Sequence, residues 1–122
     1  MRRLFTAAAM ALLTPSLAAP QSKAAPLASR AKGSAEAPMT VYEMSDFQCP
    51  YCRQFALETF PLLDSLYVET GKVRWVFINF PLTSLHPNAV PAAGMALCAA
   101  KQGAFWPIHD LLYQHQPDWA KL

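Results

Sequence analysis

The chain has 122 residues, enough for one small domain. A hydrophobic fraction of 53% argues for a packed core and against disorder, and three cysteines are too few for a disulfide-stapled scaffold. The formal charge of +2 includes Arg2 and Arg3; without them basic and acidic residues balance, and no basic patch points to nucleic acid.

The chain opens "MRRLFTAAAMALLTPSLAAP". Two arginines, an apolar run from Leu4 to Leu13 and a small-residue stretch form the pattern of a secretory signal peptide over residues 1–18. Ser16 and Ala18 place small side chains where cleavage after Ala18 requires them. The run is shorter than the about 20 residues a bilayer span takes, and no longer one follows, so no integral membrane protein is expected. "RRLF" is a partial twin-arginine match, which leaves the export route open. Residues 19–38 are rich in Ala, Ser and Pro without apolar periodicity. They read as a flexible linker, with order beginning near Met39.

From Thr40 to Ser45, β-branched and aromatic residues without a breaker predict a strand. A helix follows from Pro50, with Cys52, Phe55, Ala56, Phe60, Leu63, Leu66 and Tyr67 recurring at steps of mainly three and four. Pro61 should kink or divide it, and Gly71 should end it. Val73 to Phe80 is apolar almost throughout, as expected of a parallel strand covered on both faces. Strand, helix and strand give a right-handed crossover. "PNAVPAAGMALCAAKQG" and "FWPIHDLLYQHQ" then predict two helices, the first closed by Gly103 and the second ending before Pro117.

The chemistry concentrates in "SDFQCPYCRQF", where Cys49 and Cys52 sit three apart. A redox pair, a structural disulfide and part of a metal site are the alternatives. A disulfide over so short a spacing closes almost no loop and stabilises little. A zinc site needs four ligands, and no second C-x-x-C exists; His86, His109, His115 and Cys98 lack ligand spacing. The redox pair is therefore favoured. With the helix starting at Pro50, Cys49 takes the N-cap place and Pro50 the first helical position. The Cys49 sulfur would accept a first-turn N–H, that of Cys52, beside the helix's partial positive charge. Both effects favour a thiolate, which makes Cys49 the attacking cysteine. Cys52, one turn on and more buried, is the resolving one.

"VYEMSDFQCPYC", "GKVRWVFINFPL", "HPNA" and "KQGAFWPIHDLLY", in this order, resemble the DsbA-like branch of the thioredoxin superfamily over Met39 to Tyr113. The resemblance implies an α/β fold: a thioredoxin-like β-α-β unit with a helical insertion over residues 39–122. It also implies periplasmic or secreted thiol–disulfide exchange on protein or peptide substrates, with no cofactor and an unidentified redox partner. Cys49 and Cys52 match the family's attacking and resolving cysteines, and Pro50 and Tyr51 the dipeptide that tunes the potential. The dipeptide lacks the histidine of the strongest oxidases, so a milder oxidant is implied. Glu43 matches a buried acid that helps deprotonate the second cysteine; the alternative is a solvent-facing strand residue. Phe47 and Tyr51 flank the cysteines as candidate substrate contacts.

Among the other chemistry-bearing residues, Cys98 lies among alanines and is expected as a buried, inert thiol. His86 should shape a turn or cap the next helix, and His109 should be structural. Phe105, Trp106 and Trp119 are expected in the core rather than on a peptide-binding surface.

The family's pattern continues with a β-β-helix segment whose first strand follows a cis-proline facing the cysteines. No proline after Cys52 in this chain precedes a strand-like run. Two parallel strands alone would leave open sheet edges. The chain thus reads as the N-terminal part of a longer protein, poorly stable and weakly active by itself. A monomeric oxidase is favoured because the linker is too short and polar for an isomerase's dimerisation domain. A reductase or isomerase of the same fold is the first alternative, and a non-catalytic chaperone-like or metal-binding module the second.

Overall fold

The structure is a computed structural model and describes residues 26–121. The expected signal peptide and the start of the expected linker lie outside the described residues. Three strands form one sheet in the order β1 (Ala31–Lys32), β3 (Val73–Asn79) and β2 (Met39–Ser45). Strands β2 and β3 run parallel, with Val41 opposite Trp75, Glu43 opposite Phe77 and Ser45 opposite Asn79. Strand β3 buries Val73, Trp75, Val76 and Phe77, as its nearly unbroken apolar run requires of a central strand.

The linker expectation needs correction at its C-terminal end. Order begins before Met39: a helical turn at Leu27–Arg30 leads into β1, which pairs antiparallel with β3. This strand closes one of the sheet edges that two strands would leave open. Its order is tertiary in origin, which is why no local periodicity announces it. Trp106 Nε1 donates to the Ala31 carbonyl at 3.1 Å. The Lys32 ammonium pairs with Asp64 and lies 5.7 Å from the ring centres of both Phe60 and Trp106. Gly33 follows at φ +90°, and a β-carbon there would sit 2.8 Å from both the Val68 side chain and the Val73 carbonyl oxygen.

The crossover helix runs from Pro50 to Val68 in four stretches: α1 (Pro50–Gln54), a wide turn (Phe55–Thr59), α2 (Phe60–Leu63) and a second wide turn (Asp64–Val68). In the wide turns the backbone bonds reach five residues back, as from Phe60 to Phe55 and from Glu69 to Asp64. Pro61 sits in the first turn of α2, so the missing donor that was expected to kink the helix is absorbed by the looser turn before it.

Helices α3 (Ala89–Ala100) and α4 (Phe105–Gln114) pack together over the sheet. Ala89, Ala92, Ala93, Ala96, Ala99 and Ala100 make the buried stripe of α3. Cys98 falls outside that stripe and is exposed, which corrects its expected burial. Helix α4 ends before Pro117, as expected, and Pro117 sits in the first turn of a further short helix, α5 (Gln116–Trp119).

The main core is aromatic. Phe47 lies 5.1 Å from Phe77 and 5.0 Å from Tyr113, ring centre to ring centre, and His109 packs edge-on against all three. Such pairs are worth about 0.5–1.5 kcal/mol each beyond the area they bury.

Below this core, the loop leaving β2 is fixed by Asp46, which is 3% exposed. Its Oδ1 accepts from the Gln48 backbone at 2.7 Å. Its Oδ2 accepts from the Leu82 backbone at 2.7 Å and lies 2.8 Å from His86 Nδ1. The turn role expected of His86 is thus exercised through its ring, from across the fold. One carboxylate ties the loop before the cysteines to the loop after β3.

Two stability outcomes follow. Gly33→Ala should destabilise by about 2 kcal/mol in denaturant melts, through backbone strain and overpacking. A neutral result would show that residues before Met39 are dispensable. Asp46→Ala should cost about 3 kcal/mol, because three donors lose their acceptor, with Asp46→Asn milder. A change below 1 kcal/mol would remove Asp46 from the role of clamp.

Candidate active site

The cysteine pair stands where β2 hands over to α1. Cys49 is the N-cap residue, extended at φ −72° and ψ 124°, and Pro50 takes the first turn. The Cys49 carbonyl accepts the Arg53 N–H at 3.0 Å, so the helix begins at the motif. The capping bond expected of the Cys49 sulfur is absent. Cys49 acts on Cys52, one turn on, by helping to push its thiol up.

Both cysteines are half-buried, but their surroundings differ. Cys52 packs against the main core, alongside Ala56 and Phe47. Burial pushes the Cys52 thiol up, and its hydrogen bond to Cys49 pushes the same way; the Asp46 backbone and the Ser45 side chain oppose this as donors to the sulfur. The Cys52 thiol is thus held above the ordinary cysteine range mainly by its burial.

The backbone around the pair is held by side chains from the far end of the chain. Gln116 Nε2, on α5, donates to the Phe47 carbonyl at 2.7 Å and the Cys49 carbonyl at 3.0 Å. Gln48 Nε2 donates to the Ala120 carbonyl, and Gln48 Oε1 accepts the Asn88 N–H, each at 2.7 Å. Arg53 Nε donates to the Tyr113 carbonyl at 2.9 Å. Sequence reasoning missed Ser45, Asp46, Gln48, Gln116 and Tyr113. Only Asp46 carries a local signal, because an aspartate leaving a strand favours a turn. The others act through partners about 40–75 residues away in sequence.

The remaining candidates separate. Tyr51 is 80% exposed beside the cysteines. Phe47 is 1% exposed in the aromatic core, so it supports the loop from beneath and does not reach the surface. Glu43 is half-buried and does not face solvent fully. Its Oε2 accepts from Trp75 Nε1 at 2.8 Å, while its Oε1 is buried without a partner. Its charge is felt at the Tyr113 hydroxyl, which burial, above all, pushes well up. Among the described residues, no cluster of His, Cys, Asp and Glu has the arrangement of a metal site.

The chain is similar to known proteins. The Thioredoxin family model matches residues 27–122. The probable disulfide bond formation protein D of Bacillus anthracis is 39% identical over 84 residues, covering 69% of this chain and 39% of that protein. The Na(+)/H(+) antiporter NhaA 3 of Salinispora tropica is 48% identical over 87 residues, covering 71% of this chain and 13% of the antiporter. The chain therefore spans well under half the length of these relatives. No helix among the described residues is long and apolar enough to cross a membrane. The crystal structure of oxidised BdbD from Bacillus subtilis superposes with a TM-score of 0.69 at 27% identity, over 80% of this chain and 53% of BdbD. Fold, cysteine pair and relatives agree, and the chain belongs to the thioredoxin family, on its DsbA-like branch.

Proposed function

We propose that this chain carries the redox centre of a periplasmic or secreted thiol–disulfide oxidoreductase that forms or exchanges disulfides in protein substrates. The observation that carries this is the inequality of the two cysteines. Cys49 stands at the N-cap ahead of Pro50, and Cys52 packs on the core, where burial pushes its thiol up. Cys49 attacks, or is attacked by, a substrate sulfur, and Cys52 resolves the mixed disulfide. Pro50 and Tyr51 tune the pair, and Tyr51, being exposed, is the substrate contact. The likeness to a disulfide bond formation protein favours net oxidation over reduction or isomerisation. The signal pattern of residues 1–18 supports export, and the enzyme would work as a monomer regenerated by a separate redox partner.

Glu43 is the proposed proton acceptor for Cys52. Its buried, unpartnered Oε1 supports that role, while the bond of Oε2 to Trp75 fixes the carboxylate in the sheet.

The test is trapping. With Cys98→Ser throughout, the oxidised chain is mixed with a cysteine-containing peptide and quenched in acid. The Cys52→Ala variant, first charged at Cys49 as a mixed disulfide, should retain the peptide on Cys49. The intact pair should release it, and Cys49→Ala should hold none. Retention by Cys49→Ala in place of Cys52→Ala would reverse the roles. In the intact pair, Glu43→Gln should lengthen the lifetime of the Cys49 mixed disulfide about tenfold or more. An unchanged lifetime would leave Glu43 only its structural bond to Trp75.

A further inference from the structure

The backbone that carries Cys49 is held from two sides. On one side stands Asp46, an acceptor. Its Oδ1 takes the Gln48 N–H at 2.7 Å, and its carbonyl takes the Cys49 N–H at 3.1 Å. On the other side stands Gln116, a donor. Its Nε2 reaches the Phe47 carbonyl at 2.7 Å and the Cys49 carbonyl at 3.0 Å. Only the nitrogen end of the amide carries hydrogens, and it has one for each carbonyl.

These bonds grip the peptide units around Cys49 one by one. The unit joining Phe47 to Gln48 is held at its N–H by Asp46 and at its oxygen by Gln116. The unit joining Gln48 to Cys49 is held at its N–H by Asp46. The unit joining Cys49 to Pro50 has no N–H, because proline lacks one. Its oxygen carries the restraint, shared between Gln116 and the Arg53 N–H at 3.0 Å. With a held unit on each side, the Cys49 α-carbon keeps its extended conformation at φ −72° and ψ 124°. Rotation about its side-chain bond stays free.

We infer that Gln116 is a positioning residue for Cys49 in thiol–disulfide exchange, acting through the Phe47 and Cys49 carbonyls. Its role rests on the exchange reaction proposed above. In that reaction a substrate thiolate attacks Cys49 Sγ. A new S–S bond joins substrate to Cys49, the Cys49–Cys52 bond breaks, and its electron pair leaves on Cys52. Cys49 supplies the central sulfur, which must lie nearly in line with the entering and leaving ones. A central sulfur on a fixed backbone has less freedom to lose on reaching that alignment. Alkylation of Cys49 by a small electrophile makes no such demand, because it engages one protein sulfur alone.

The setting of Gln116 suits it to this task. It is 5% exposed and opens helix α5. That burial leaves little room for water to replace its N–H groups once they are removed. Helix α5 is fastened to α4 separately, by Trp119, whose Nε1 donates to the Leu112 carbonyl at 2.9 Å. Loss of the Gln116 amide therefore differs from loss of the helix that carries it.

The test uses the full chain in a Cys98→Ser background, with near-ultraviolet circular dichroism to show that each variant keeps its aromatic core. The oxidised chain is reduced by glutathione, quenched in acid and weighed by mass spectrometry. Gln116→Met, which keeps the length and loses both hydrogens, should slow reduction about tenfold. Gln116→Asn, one methylene shorter, should fall between it and the parent. In a Cys52→Ala background, iodoacetamide should alkylate Cys49 at alkaline pH equally fast with and without Gln116→Met. Trp119→Phe, which loosens α5 and leaves the amide, should lower the melting temperature and leave the reduction rate unchanged. Parent-like reduction in both Gln116 variants would overturn the positioning role, as would equal slowing in Trp119→Phe or of alkylation. In the reduced chain, Gln116→Met should speed amide hydrogen exchange at Gln48 and Cys49 about fivefold, the effect of one net hydrogen bond. Failure of the parent to form a glutathione-reducible Cys49–Cys52 disulfide would overturn the exchange reaction and with it the role of Gln116 there. The amide rates would still read the grip of Gln116 on the loop.

Discussion

The buried carboxylate of Asp46 is the constraint on which the rest of the site depends. Nitrogens of Gln48, Leu82 and His86 converge on it from two loops. A parallel β-α-β unit leaves the loops at one end of its strands unpaired, and those loops are where ligands and chemistry sit. Here the end of β2 at Ser45 must turn sharply enough to start α1 at Pro50, with Cys49 at the N-cap. Asp46 makes that turn by accepting from Gln48, its neighbour two residues on, and anchors it by accepting from the strand-β3 side. Carboxylate acceptors suit this task because one group can satisfy several donors at once. Its backbone also serves the site: the Asp46 carbonyl takes the Cys49 N–H at 3.1 Å.

Around that anchor, the helices after β3 supply a second set of restraints. Gln116, Gln48 and Arg53 connect the backbone of residues 47–53 with α4, α5 and the start of α3. Each bond is modest, about 1 kcal/mol net. Together they fix the carbonyls of Phe47 and Cys49 and tie the side chains of Gln48 and Arg53 to the helices after β3. The exchange proposed above requires three sulfurs nearly in line, so a cysteine held in one place has less entropy to lose on reaching the transition state. The helical segment therefore does more than cover the sheet.

Much of this was legible in the sequence. The two long strands, the crossover helix and the helices α3 and α4 announced themselves through apolar periodicity and through Pro and Gly at element ends. The strand-to-helix junction at C-P-Y-C was legible because the motif combines an N-cap, a first-turn proline and a one-turn spacing. What escaped was tertiary. Strand β1 has two residues and no pattern of its own; it is ordered by Trp106 and Asp64, more than 30 residues away. Cys98 looked buried among alanines, but the alanine stripe runs at helical spacing and passes it by. Phe47 looked like a substrate contact because it flanks the motif in sequence, whereas the turn at Asp46 drives its ring into the core. Adjacency in sequence says little about which side of a turn a side chain takes.

Burial of Cys52 sets two demands against each other. Packing the sulfur on an aromatic core pushes its thiol up, which favours the reduced form of a pair. Whatever stabilises a reduced pair makes the corresponding disulfide a stronger oxidant. In the exchange proposed above, the same burial opposes the step in which Cys52 leaves as a thiolate with little water to receive its charge. A site that only buried this sulfur would gain oxidising power and lose speed. Donors that act on the thiolate but not on the thiol remove that conflict, because they lower the barrier without altering the resting pair. The Asp46 backbone opposes the rise of the Cys52 thiol from a fixed position, because the Asp46 carboxylate is held by Gln48, Leu82 and His86.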